Sequence, residues 1–100
     1  MEDDSIMNAY YDRQIVTALI GVKVDTKNIE NFAKKAVEFN NVEDVFLVTG
    51  EYDIMVKVKF PSYGELKDFI INKLSKLDGV LKTETMMVVN TYKERGLKFE

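Results

Sequence analysis

Five consecutive residues, Thr49, Gly50, Glu51, Tyr52 and Asp53, place a hydroxyl, a glycine backbone, a phenol and two carboxylates between two apolar runs, residues 45–48 and 54–60. Only a tight β-turn fits between runs so close, and Gly50 can take the positive φ that such a turn demands. The groups beside it are those a small polar ligand would use: hydroxyl, backbone N–H, phenol and carboxylate. A second pair, Thr83 and Thr85, lies two residues apart, so both side chains leave the same face of a strand. Two hydroxyls on an otherwise apolar face suit the orientation of a zwitterion; they equally suit a half-buried strand, where threonine packs well. The turn has the same two readings. Thr49 and Asp53 either meet a ligand or bond local backbone, and the Tyr52 ring either faces the ligand or packs with its hydroxyl at the rim.

Composition narrows the chemistry. The 100-residue chain has no cysteine and no histidine, which excludes disulfides and thiolate metal sites and removes the usual proton shuttle near neutral pH. No catalytic residue, metal ligand or cofactor is assigned. Fourteen basic against seventeen acidic side chains give a net charge of −3, so a nucleic-acid backbone meets no general positive field. The lysines at 34, 35, 67, 73 and 76 are interspersed with Glu30, Glu38, Glu65 and Asp68, as on a solvated helix face. Residues 1–5 lack the basic and apolar regions of a signal peptide, and no apolar run approaches the roughly 20 residues of a membrane span. A cytoplasmic location without membrane or direct nucleic-acid partners is expected.

The elements that must position these residues follow from periodicity. Residues 1–14 read as an arm that Tyr10 and Tyr11 could anchor, with Glu2, Asp3 and Asp4 as a short solubilising start. Residues 15–24 are β-branched and lack a helical period, which predicts a long strand. Asp25 and Thr26 offer N-cap oxygens to a helix whose apolar face is Ile29, Phe32, Ala33, Ala36 and Val37. Strands are predicted over 42–49 and 52–60. Ser62 and Glu65 then have capping-box spacing before a helix with Leu66, Phe69, Ile70, Leu74 and Leu77 on one face. Gly79 falls where a left-handed C′ residue belongs, and residues 80–92 form the last strand. The order βαββαβ predicts a ferredoxin-like α+β sandwich: a four-stranded antiparallel sheet with two helices on one face. The expected divisions are an arm at 1–14, a domain at 15–93 and a charged tail at 94–100.

Both faces of that sheet carry apolar residues. Ile15, Thr17 and Leu19 oppose Val16, Ala18, Ile20, Val22 and Val24, and Met86 and Val88 oppose Leu81, Met87 and Val89. Helices cover only one face, so a monomer would expose an unusually large apolar patch, and at least a dimer is expected, through sheet faces or paired edges. Met55, Met86 and Met87 are gap-fillers of core or interface. Glu84, opposite in direction to Thr83 and Thr85, is expected to pair with a lysine such as Lys57 or Lys59.

Residues 45–54, VFLVTGEYDI, followed by residues 74–85, LSKLDGVLKTET, resemble the effector-binding (RAM) domain of the Lrp/AsnC transcription regulators, over roughly residues 15–93. The V-T-G-x-Y-D turn and the G-V-x-x-T-x-T strand occur in order within the matching βαββαβ frame. The resemblance implies a non-enzymatic module that is dimeric, often assembled into octamers (tetramers of dimers), and binds an amino acid or related small metabolite between dimers. It implies ligand contacts at Thr49, Gly50, Glu51, Tyr52, Asp53, Thr83 and Thr85, with backbone N–H groups receiving an α-carboxylate and Asp53 an α-ammonium. Family members carry an N-terminal helix-turn-helix. Fourteen residues before the first strand are too few for one, so a stand-alone domain is expected, acting by co-assembly with full-length regulators. Two other classes stay open. One is a small dimeric α/β-barrel enzyme using Asp53, Tyr52 and Glu84; the other is a ligand-free oligomerisation adaptor.

Overall fold

The computed structural model describes residues 15–99. The arm expected over residues 1–14, with its tyrosine pair and acidic start, lies outside them, as does Glu100. The elements are β1 (Val16–Val24), α1 (Ile29–Ala36), β2 (Val42–Leu47), β3 (Ile54–Phe60), α2 (Tyr63–Asn72) and β4 (Val80–Met87), followed by β5 (Lys93–Glu94) and β6 (Leu97–Lys98). The four long strands form an antiparallel sheet ordered β2-β3-β1-β4. This is the ferredoxin-like α+β arrangement that the periodicity predicts, with β1 inside the sheet.

Cross-strand register divides the side chains between the faces. Ala18, Ile20 and Val22 of β1 stand beside Val58, Val56 and Ile54 of β3 and are buried beneath the helices with Phe32, Leu66, Phe69 and Leu74. Phe69 meets Phe39 edge-on at 5.0 Å and Phe60 at 5.1 Å. Each large side chain sealed here contributes about 1.5–3 kcal/mol. On the opposite, open face stand Thr17, Leu19 and Gly21 of β1, Met55, Lys57 and Lys59 of β3, Phe46 of β2, and Lys82, Glu84 and Met86 of β4. Phe46 is 54% and Met86 43% exposed.

Local structure departs from the predicted pattern in four places. Asp25 and Asn28 make no side-chain cap; a 3-10 turn at Thr26–Asn28 starts α1 instead, with Asn28 N–H donating to Asp25 O at 2.8 Å. α1 ends at Ala36, so Val37 is exposed and not part of the core face. The chain then joins the sheet at Asn41, whose side-chain amide donates to Lys59 O at 2.8 Å and whose carbonyl accepts from Lys59 N–H at 2.9 Å. β4 stops at Met87, although Val88 N–H still donates to Thr17 O at 2.9 Å. Residues 93–98 form a two-stranded ribbon, β5 with β6, where only charged tail was expected. The cap at α2 does follow the sequence: Ser62 Oγ accepts from Glu65 N–H at 3.2 Å. Gly79 has φ +87°, in the left-handed region expected of it. Among the described residues no helix is long and apolar enough to cross a membrane.

Candidate functional site

The connection between β2 and β3 spans residues 48–53, longer than the tight turn expected. Its base is closed by Val48 N–H donating to Asp53 O at 2.9 Å. Asp53 fixes it to the sheet in two ways. Its N–H donates to Val22 O at 3.0 Å, and its Oδ2 accepts from Val24 N–H at 2.9 Å. The carboxylate thus takes the place of one further ladder residue at the end of β1, where the pairing with β4 also slips between Lys23 and Val24. Its other oxygen, Oδ1, accepts no hydrogen bond among the described residues.

Tyr52 leaves the loop towards the open face. Its hydroxyl donates to Glu84 Oε1 at 2.6 Å. That bond to a carboxylate is the main reason its phenol is pushed up to about 12, with desolvation and the charges of Glu84 and Glu51 acting the same way. Lys82 Nζ stands 5.8 Å from the ring centroid, within cation–π range. Thr49, Gly50 and Glu51 form the exposed crown. Gly50 has φ +129° and open space where a Cβ would lie, so backbone conformation accounts for it. Among the described residues, the amides of 49–52 enter no backbone hydrogen bond. A run of unpaired donors above an oriented carboxylate can receive the two ends of a zwitterion.

The threonines of β4 lie on the helix-side face. Thr83 registers with Val22, whose carbonyl holds Asp53, so Thr83 and Asp53 flank β1 at one level, two strand spacings or about 10 Å apart. Thr85, opposite Ile20, lies one pleat further on and lines a groove of about 250 Å³ with Leu66, Lys67, Ile70 and Met87. One chain therefore brings Thr83 level with the loop and turns Thr85 towards α2.

Glu84 does not pair with Lys57 or Lys59 as expected. Its direct register partner is Gly21, and Tyr52 reaches it across that glycine, while β3 with its lysines lies beyond β1. Lys57 instead donates to Glu94 of β5, and Glu43 lies 3.7 Å from Lys57 and 3.4 Å from Lys59. Glu43 is the extra residue where the β2–β3 register slips between Val42 and Asp44, which turns it towards the lysines. The bond to Lys57 holds Glu94 below the usual carboxylate range and raises Lys57. Gly21 is absent from the sequence-derived candidates, and Glu84 enters them only in the enzymatic alternative. A glycine in a β-branched strand, the mark of a close backbone approach, is the signal for the first.

The sequence profile of the Lrp/AsnC ligand binding domain matches residues 17–97. The chain is 38% identical over 88 residues to the HTH-type transcriptional regulator YugG of Bacillus subtilis, which covers 85% of this chain and 53% of that protein. Among solved structures it is similar to FFRP-DM1, with a TM-score of 0.72 and 30% identity over 74% of this chain and 99% of that one. It is also similar to AsnC of E. coli, with a TM-score of 0.77 and 28% identity over 89% of this chain and 58% of that one. It spans about half to two-thirds of the length of the curated relatives it matches. These relatives are regulators of transcription, and the chain belongs to the Lrp/AsnC ligand binding domain family.

Proposed function

We propose that this domain senses an amino acid or a related small metabolite, and that the 49–53 loop and the β4 threonines contact it. The observation that carries the reading is Asp53: Val24 N–H engages Oδ2 and fixes the carboxylate, leaving Oδ1 for an α-ammonium beneath the unpaired amides of the loop. Thr83 and Thr85 complete the site from β4. Because Thr49, Gly50 and Glu51 are exposed and the β4 threonines stand across β1 from the loop, the ligand is held where chains meet, in a dimer or a larger assembly such as an octamer. Binding then shifts the assembly equilibrium by the difference in affinity between its states. Full-length regulators of the family are the partners through which such a shift reaches transcription. The enzymatic reading has no comparable observation behind it: the relatives are regulators of transcription, and the groups it would use, Tyr52, Glu84 and Asp53, line no common cavity among the described residues.

The test is a panel of the twenty amino acids, read by thermal shift and native mass spectrometry. A ligand should raise stability by about 2.7 kcal/mol at a hundredfold excess over Kd. Asp53→Asn keeps an oxygen for Val24 N–H and removes the charge, so it should fold normally and lose binding. Silence from all twenty at millimolar concentration sinks the sensing claim.

A further inference from the structure

Gly21 sits in mid-β1, outside the left-handed φ region that accounts for Gly50 and Gly79. Backbone freedom does not explain a glycine among β-branched neighbours; space does. A Cβ at this position would fall 2.9 Å from Cγ and Cδ2 of Tyr52 and 3.3 Å from Cδ1, so the ring lies directly on the strand backbone. From this seat the hydroxyl reaches Glu84, the residue directly opposite Gly21 on β4. A ring that only filled space would leave its phenol to water. Here the side chain starts in the loop, crosses β1 and ends on β4. The next residue, Asp53, is held at Val22 and Val24. The loop's last two residues are therefore fastened at three residues of β1, Gly21, Val22 and Val24, and once to β4, while Thr49, Gly50 and Glu51 project beyond the fastening.

We propose that Gly21, Tyr52 and Glu84 are positioning residues, a seat, a ring and a clamp that hold the 49–53 loop in its ligand-receiving shape. The consequence for ligand binding rests on the sensing reading above; the fastening itself does not. Tyr52 then acts through the loop, with its hydroxyl engaged away from the ligand.

Tyr52→Phe keeps the ring and removes the donor. In hydrogen exchange followed by NMR, the amides of Val48 and Asp53 should exchange about tenfold faster in this variant, the scale of losing one charge-assisted hydrogen bond, while those of Ile20 and Val56 stay unchanged. Gly21→Ala should loosen the same amides by unseating the ring. The ultraviolet pH titration of wild type minus Tyr52→Phe isolates this phenol from the other four tyrosines. It should ionise near 12, held by the Glu84 bond and the charges of Glu84 and Glu51 with Lys82 Nζ 5.8 Å from its ring centroid, and fall towards the ordinary tyrosine value in Glu84→Gln. Wild-type exchange at Val48 and Asp53 in Tyr52→Phe, together with an ordinary phenol in the wild type, overturns the fastening. If the wild type binds one of the twenty amino acids, Tyr52→Phe should bind it more weakly, and equal affinity overturns the positioning role. If the wild type binds none, sensing falls and the exchange and titration results still decide the fastening.

Discussion

Asp53 serves the fold and, as proposed, the ligand, and its two oxygens divide these tasks. Asp53→Ala would strip both, leaving Val24 N–H without its acceptor at a cost of about 1–3 kcal/mol, measurable as a lower midpoint of urea unfolding. The Asn variant separates the roles because it spares the hydrogen bond. A comparable division of charge sits at the other end of the open face. The folded state holds Glu94 below the usual carboxylate range, so the Lys57–Glu94 pair stabilises the fold above that range and is lost as pH falls through the lowered value. Lys57, raised by the same bond, keeps its contribution until pH climbs past the ordinary lysine range. The melting temperatures of wild type and Glu94→Gln should therefore differ at neutral pH and converge in acid. The sequence pointed to the turn residues as a group, because glycine, threonine and aspartate have local backbone chemistry. It could not show that the phenol of Tyr52 goes to Glu84, because that contact spans 32 positions and depends on which strand lies next to which.

Strands and helices with periodic burial match the pattern in the sequence, and the departures lie at their ends. α1 stops at Ala36, short of Asn40 and Asn41, where the sequence predicts its end, and the bond of Asn41 to Lys59 is an interaction that periodicity does not encode. The ribbon of β5 and β6 turns at Arg95 and Gly96, both at positive φ, +51° and +83°. Two central residues of positive φ define the I′ turn that suits the twist of a hairpin, but arginine in place of the usual asparagine concealed it. Gly79 was legible from position alone, and its surroundings make it stringent. At φ +87° a side chain is strained, and a Cβ would lie 2.4 Å from Asn28 Cβ. Its carbonyl also accepts from Asp25 N–H at 2.8 Å, tying the start of β4 to the end of β1. Gly79→Ala should destabilise the domain by more than the ~1 kcal/mol that the same exchange gains where the backbone suits alanine, with a clear drop in melting temperature.

Among the described residues, the elements leave one sheet face without a helix and with Phe46, Met86, Leu19 and Met55 upon it. If that face carries the assembly on which sensing depends, Met86→Glu should yield monomers in native mass spectrometry while circular dichroism stays unchanged. The two-faced apolar pattern was already visible in the strands; which side the loop and the ribbon would reach was not, since that depends on long-range register. The strand order has a further consequence, in the time course of synthesis. Of the described strands β1 is made before the others, yet it lies between β3 and β4, and these arrive only after α1 and α2 respectively. Until then its β-branched run has both hydrogen-bonding edges open, and most of the sheet's pairing waits for distant segments, the condition that slows folding and exposes a nascent chain to aggregation. The strand most deeply enclosed in the finished domain is the one longest without partners while the domain is being made.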